Sequence, residues 1–277
     1  MMMTDSPCCT VIVSYNCWEA LRLCLQSLPT AHVIVVDNAS ADGSADMVRR
    51  EFPAVTWLAN DSNRGFAAAC NQGIHATSEP FMLLLNPDTW VSEYALQTLS
   101  RVMTHNPKIG ACGPRILNED TTPQPSCRHF PTLGRMILAE FGLRAFYYIT
   151  NPTGGVDQLM GSCLLLRRSA LEQVGFLDER FFVYFEEVDL CLRLRQAGWE
   201  VRFVPDATII HTGGASSQHD RRAALGYRYH SLFEFYRKHY PRWQLPVLKL
   251  AVQFTSLARL LIGQREYAGV ARQVWSL

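Results

Sequence analysis

The stretch "MLLLNPDTWV", residues 82–91, decides how the chain is read. Met82 to Leu85 form an unbroken apolar run, as expected of a strand covered on both faces inside a helix-flanked sheet. The run stops at Asn86-Pro87-Asp88-Thr89, where proline disfavours continuing the ladder. In open α/β sheets ligands bind beyond the carboxyl ends of the strands. Asp88 is therefore either a metal or phosphate-site ligand or a turn residue.

The same form repeats on the N-terminal side. "CTVIVSYN" (9–16) is an aliphatic run, followed by "CWEALRLCLQSLP" (17–29), in which Trp18, Leu21, Leu25 and Leu28 mark one helix face. "HVIVVDNAS" (32–40) is a second strand, with a helix expected over 44–52. "VTWLANDSNRG" (55–65) holds a third strand and "GFAAACNQGIHAT" (65–77) a small-residue helix before the run at 82. Strand then helix, three times over, implies right-handed crossovers and a parallel α/β sheet.

The middle is less regular. "NEDTTPQPSCRHFPTL" (118–133) reads as a loop, "MILAEFGLRAFYYI" (136–149) as a short helix and "QLMGSCLLLRR" (158–168) as a buried strand. "SALEQVGFLDERFF" (169–182) is expected to be a helix, with Ser169 and Glu172 at capping-box spacing. "FEEVDLCLRLRQAGW" (185–199) is a further helix ended at Gly198, "EVRFVPDATIIHTGG" (200–214) a last strand region, and the remainder is helical.

Composition bounds the function. The chain has 277 residues, 48% of them hydrophobic, and 26 basic against 25 acidic side chains, for a net charge of +1. That is globular, and no global charge points to nucleic acid. The nine cysteines form no C-x-x-C pair, so they read as reduced thiols of a cytoplasmic protein. The N-terminus lacks signal-peptide organisation, and Lys249, Gln253 and Arg259 interrupt the apolar C-terminal stretch short of a membrane span.

Three strand ends carry polar residues: Ser14 to Asn16, Asp37 to Ser40 and Asn86 to Thr89. Aligned on one sheet edge they would line a nucleotide crevice, although each alone is ordinary turn chemistry. No G-x-G-x-x-G or P-loop pattern is present. A sugar nucleotide instead needs its departing diphosphate stabilised, and Asp88 with His211 offers oxygen and nitrogen ligands for a divalent cation; a solitary histidine can equally be structural. Glu186, Glu187 and Asp189 follow the aromatic run "RFFVYF". There, an apolar wall can raise a carboxyl pKa toward that of a general base. A solvated helix N-terminus is the alternative. Asp189 also pairs by spacing with Arg193, so Glu187 is favoured as base and Asp189 as a structural or acceptor-orienting group.

Taken together, "VIVSYN", "VIVVDNASADGS", "NRGFAAACNQGI", "LLLNPDT", "GFLDERFFVYFEEVDLCLRLRQAGW" and "IIHTGGAS" resemble the family 2 glycosyltransferases, in their rhamnosyltransferase-like branch. The resemblance covers roughly residues 8–217. It implies a GT-A fold, a Rossmann-like mixed sheet flanked by helices, over 7–217, with a nucleotide-sugar half (7–115), an acceptor and catalytic half (116–217), and a helical C-terminal extension (218–277). It implies inverting transfer of a sugar, rhamnose for preference, from a dTDP- or UDP-sugar to a saccharide or lipid-linked acceptor of cell-surface polysaccharide, with Mg or Mn. Ser14, Asn16, Asp37 and Arg64 would hold the nucleotide, Asn86 and Asp88 would stand in the D-x-D positions, and Asp88 with His211 would meet the metal. Glu187 would be the base, with Asp189 beside it. Asn86 and Glu187 depart from the family's usual residues, which leaves a non-catalytic nucleotide-sugar-binding module as the alternative.

The C-terminal part "YRYHSLFEFYRKHY" (227–240) interleaves aromatics with cations, and "LKLAVQFTSLARLLIG" (248–263) has an amphipathic face. Either would suit peripheral contact with the inner face of a membrane or packing against the domain or a second subunit as a homodimer.

Overall fold

The computed structural model describes residues 8–28, 32–213 and 221–277. The expected domain start at 7 and boundary at 217/218, with the end of the "IIHTGGAS" motif, lie outside the described residues.

The N-terminal half alternates as expected. β1 (Cys8–Ser14), α1 (Trp18–Ser27), β2 (Val33–Asp37), α2 (Ser44–Glu51), β3 (Thr56–Ala59), α3 (Phe66–His75) and β4 (Phe81–Leu85) follow one another, and the strands lie side by side as β3-β2-β1-β4, all parallel. Every residue of β4 is buried. Met82 and Leu84 pack on one face with α3, while Phe81, Leu83 and Leu85 pack on the other with α1 and α2. Two buried faces are why this strand reads as a continuous apolar run.

Beyond β4 the sheet becomes mixed. β5 (Thr89–Val91), α4 (Glu93–His105), β6 (Ile109–Leu117), the two-residue β7 (Cys127–Arg128), α5 (Leu133–Glu140), the two-residue β8 (Gly154–Gly155) and β9 (Gln158–Leu159), and β10 (Cys163–Arg167) come next. α6 (Arg168–Val174), α7 (Glu186–Gln196) and β11 (Glu200–His211) complete the sheet region. Its order is β3-β2-β1-β4-β10-β6-β11-β5, with β8 on β11; β10 runs antiparallel to β4 and β6, and β5 antiparallel to β11. The wholly parallel sheet drawn from strand–helix alternation thus holds only for the first half, and the mixed sheet implied by the resemblance is the one observed.

Three local expectations change. The helix expected over 169–182 ends at Val174, because Gly175 adopts φ +84 and turns the chain away. That helix starts at Arg168, so Ser169 lies inside it and makes no cap. Residues 158–168 form two short strands rather than one.

α8 (Arg221–His239), α9 (Gln244–Leu261) and α10 (Ala268–Gln273) close the chain. Leu232, Phe233, Phe235 and Tyr236 of α8 share an apolar core with Met136 of α5 and Phe181, Phe185 and Val188. The C-terminal helices therefore support the segment that leads into α7. No helix among the described residues is long and apolar enough to cross a membrane.

Candidate active site

The carboxyl ends of β1 and β4 open onto a cleft of about 1160 Å³, walled on the far side by the start of α7 and by residues 182–184. β1 lies between β2 and β4, so the strand order reverses at this point, where α/β sheets form ligand crevices.

One end of the cleft is built from turns. Asn16 adopts φ 48, a left-handed conformation that asparagine tolerates. Its amide N–H donates to Ser40 Oγ at 2.9 Å, and its Oδ1 accepts from Ala41 N at 2.8 Å, joining the β1 and β2 loops. Asp37 is spent inside that loop: its carboxylate accepts from Ser40 N at 3.0 Å and Ser40 Oγ at 2.5 Å, and it does not line the cleft. Ser14 is fully buried behind the wall. Arg64 is exposed beside the cleft and also outside its lining.

The lining at this end includes instead Tyr15, Asn16, Trp18, Asn38 and Asp42. Trp18 starts α1 and, unlike Leu21 and Leu25 on the packing face, leaves 41% of its surface exposed. Asp42 accepts from Trp18 N at 2.8 Å and from the Ser44 hydroxyl at 2.6 Å. Burial opposes its charge, but these bonds outweigh it and hold the carboxyl below its ordinary range.

The middle of the cleft is set by β5. The turn at 86–88 reverses the chain so that Thr89 pairs with His211 across β5 and β11, and Thr212 N donates to Asp88 O at 3.0 Å. That register places Asp88 Oδ1 3.2 Å from His211 Nε2. Asn86 Nδ2 lies 3.4 Å from the same ring nitrogen.

Gln124, in the proline-rich loop, determines what that nitrogen can do. Its Nε2 donates to His211 O and to Asn118 Oδ1, both at 2.6 Å. A backbone carbonyl can only accept, so the amide orientation follows, and Gln124 Oε1, 3.0 Å from His211 Nδ1, must accept the ring N–H. With its proton on Nδ1, the ring turns Nε2 as an acceptor toward the Asn86 amide and Asp88 Oδ1. Asp88 Oδ1 and His211 Nε2 at that separation are a pair that a cation, either a proton or a metal ion, would bridge. No group of three or more metal-binding side chains occurs among the described residues. The pair therefore fits a divalent ion that would take its other ligands from diphosphate oxygens and water, as Mg²⁺ sites commonly do.

The opposite wall carries the glutamates. Tyr184 and Phe185 have φ 67 and 70, two consecutive left-handed non-glycine residues just before α7. Each costs on the order of 1–3 kcal/mol, and the cores behind them hold the bend. The bend turns Glu186 and Glu187, the first residues of α7, into the cleft. Burial raises both carboxyls. For Glu186 the Glu187 charge adds to the rise, whereas for Glu187 the Arg128 guanidinium opposes it. The pair thus shares its negative charge unequally, with the ionised form favoured on Glu187.

Four of the ten buried side-chain polar atoms without a hydrogen-bond partner among the described residues lie here: Glu186 Oε2, Glu187 Oε2, Arg128 Nε and Ser162 Oγ. Unsatisfied buried groups cost about 1–3 kcal/mol each, so their concentration at this wall marks a surface built for a polar ligand.

Asp189 points the other way. It is fully buried and outside the cleft lining, bound by Arg193 at 2.7 Å, Lys238 at 2.5 Å and His239 at 2.6 Å. Burial works against its charge, yet those partners hold its carboxyl below the ordinary range. It ties α7 to α8 from outside the cleft lining, which agrees with its expected pairing with Arg193 and with the structural one of its two expected roles.

Residues 9–175 match the family described as "Glycosyl transferase family 2". The chain belongs to that family. An N-acetylglucosaminyl-diphospho-decaprenol L-rhamnosyltransferase of Mycobacterium tuberculosis is 31% identical, with 86% of each chain covered. A low-salt glycan biosynthesis hexosyltransferase of Haloferax volcanii is 27% identical over 67% of this chain and 61% of its own. Among solved structures, a mannosyltransferase of Pyrobaculum calidifontis in complex with GDP-Man and Mn²⁺ superposes with a TM-score of 0.60 at 18% identity, covering 98% of this chain and 76% of that one. The fold of this family 2 glycosyltransferase is GT-A, and its sequence sits with the rhamnosyltransferase-like branch.

Proposed function

We propose that this glycosyltransferase moves a deoxyhexose, rhamnose for preference, with inversion from a dTDP- or UDP-sugar to a hydroxyl of a lipid-linked saccharide at the inner face of the membrane. The observation that carries the reading is the opposition, across one cleft, of the Asp88–His211 pair and the raised Glu186–Glu187 pair.

In this reading the exposed faces of Tyr15 and Trp18 take the nucleoside, with Asn16, Asn38 and Asp42 as its polar contacts. Asp37 and Ser14 shape the loops from behind, and Arg64 sits at the rim. Asp88 and His211 would hold Mg or Mn; the bound ion would stabilise charge growing on the departing diphosphate. Asn86 supplies an amide rather than a second carboxylate.

Glu187 takes the proton of the acceptor hydroxyl as that oxygen attacks the anomeric carbon from the face opposite the leaving diphosphate, which inverts the centre. Its raised pKa suits a general base, since burial makes the carboxylate a better proton acceptor while the Arg128 guanidinium favours its ionised form. Asp189 is a positioning residue that fixes α7. Similarity to a relative whose name specifies a diphospho-decaprenol acceptor and L-rhamnose supports the acceptor and donor classes.

The test is release of nucleoside diphosphate from a panel of donors, with polyprenyl-diphosphate sugars as acceptors, with and without Mg²⁺ or Mn²⁺. Metal-dependent release from a dTDP- or UDP-deoxyhexose is expected. Turnover only with a different sugar class sinks the donor assignment, and no release from any donor sinks the reading.

A further inference from the structure

A second polar recess lies outside the cleft, between α5, residues 144–148, α8 and α9. It holds three arginines, Arg144, Arg228 and Arg259, and one acid, Glu140. Glu140 is buried and already engaged: it accepts from Tyr229 Oη at 3.0 Å and from Arg259 at 2.9 Å. That pairing cancels Arg259. Arg144 and Arg228 are exposed, and neither guanidinium makes a hydrogen bond or ion pair among the described residues; Glu140 acts on Arg228 only at longer range, so three arginines against one acid leave the recess a net excess of two positive charges. The recess itself has about 20 Å³, room for little more than a water molecule, so a ligand's phosphates would sit at its mouth, against those two guanidinium groups.

Each side of the recess leads somewhere. Tyr148 lines it, and the Arg128 guanidinium of the cleft stacks 5.5 Å from the Tyr148 ring, so a single aromatic side chain separates it from the Glu187 wall. On the other side lies an apolar surface. Phe141, Leu143 and Phe146 are 54%, 51% and 58% exposed, and Phe254 of α9 is 63% exposed, its ring 6.0 Å from that of Phe141. Leu250, Phe254, Leu257 and Leu261 continue this surface at the spacing of one helix face. A contiguous exposed apolar patch beside a charged recess is the mark of an interaction site.

We propose that this recess receives the diphosphate of the acceptor and that the apolar surface takes its hydrocarbon chain. The order along the protein, from Glu187 through Arg128 and Tyr148 to Arg144 and Arg228 and then Phe141 and Phe254, repeats the order hydroxyl, sugar, diphosphate, lipid. The net excess of two positive charges matches a diphosphate bridging two organic groups. The inference rests on the acceptor class proposed above and adds the residues that recognise it.

The experiment measures binding of the whole protein, without donor, to phosphatidylcholine vesicles carrying undecaprenyl diphosphate or, at matched negative charge, phosphatidylglycerol. The expected result is a preference of at least about tenfold for the diphosphate vesicles, abolished by soluble pyrophosphate in excess. The double variant Arg144→Gln, Arg228→Gln, both exposed positions, should lose that preference while its unfolding midpoint stays near wild type. Equal binding to both anionic vesicles, or a preference retained by the double variant, overturns the proposal in favour of a general membrane surface. If Phe254→Ser turns a dimer into a monomer without weakening vesicle binding, the apolar surface belongs to a second copy and the lipid assignment fails. Because no donor is present, failure of sugar transfer leaves this result standing and the two readings separable.

Discussion

Gln124→Leu tests the arrangement that sets the chemistry of His211. Leucine keeps the volume and removes three interactions: Gln124 Oε1 as acceptor for the ring N–H, and two donations from Nε2 to His211 O and Asn118 Oδ1. Without the acceptor the ring is free to move its proton to Nε2, the atom that faces Asp88. Outer partners of metal-binding histidines are worth about 10–100-fold in metal affinity, or roughly 1.4–2.7 kcal/mol. The same change costs a neighbouring carbonyl and N–H their partners, so stability should fall by about 1–3 kcal/mol.

Mn²⁺ titration followed by electron paramagnetic resonance, with nucleoside diphosphate present, reads the affinity directly and needs no turnover. Gln124→Glu separates orientation from scaffolding. A carboxylate still accepts from Nδ1–H, so it preserves a bare Nε2, but it cannot donate to either oxygen. The expected pattern is Mn²⁺ affinity near wild type in the glutamate variant and a loss of about 10–100-fold in the leucine variant, with both proteins destabilised. Equal losses in both would mean that Gln124 only props up the loop. No loss in either would refute the tautomer argument.

Four further outcomes are expected. Glu187→Gln should lower kcat by about 10²–10⁴-fold while donor affinity holds, checked by single-turnover transfer and donor titration; near-wild-type turnover moves the base elsewhere. Glu186 keeps its proton in the folded protein to a pH where the unfolded chain has released it, so the native state binds more protons there and stability falls as pH rises above the ordinary glutamate range. Glu186→Gln removes that loss, so its urea midpoint should exceed that of wild type at pH 8 and approach it at pH 4; the reverse order would contradict a raised carboxyl. Gly65→Ala should cost more than about 3 kcal/mol in urea unfolding, because Gly65 has φ +86 and a Cβ there would meet Phe182 O at 2.5 Å; a wild-type midpoint would refute that close approach. Asp88→Ala should abolish metal-dependent enhancement of donor binding, measured by calorimetry with and without Mn²⁺, and unchanged enhancement would remove the pair from the metal.

What could be read from the chain alone follows the range of the forces involved. Met82 to Leu85 and Val33 to Val36 announce buried strands because both faces of each meet apolar layers, a local pattern with a global cause. Glu186 and Glu187 stand out because they directly follow the aromatic run at 181–185, an apolar wall that can raise a carboxyl pKa. Other features depend on contacts distant in sequence. Gln124 reaches His211 across 87 residues from a loop that reads only as proline-rich. Arg128 belongs to a two-residue strand with no periodicity to detect. Trp18 fits the spacing of a packing face, yet it sits in the first turn of α1, where the helix has already cleared the sheet edge.

The three-residue strand β5 carries the link between these scales. Its pairing with β11 is invisible in the sequence, since three residues cannot establish a period of two, but it alone brings the end of the fourth strand beside the end of the last. Asp88 and His211 lie 123 positions apart and come within 3.2 Å of each other through that register. Asparagine at 86 is intelligible at the same point. Its side chain is 3.4 Å from His211 Nε2, so its amide N–H can donate to that nitrogen, where a carboxylate would place a third acceptor beside Asp88. With an amide there, the site offers one carboxylate and one imidazole, a pair that would fill two positions of the proposed divalent ion and leave the others to diphosphate oxygens and water.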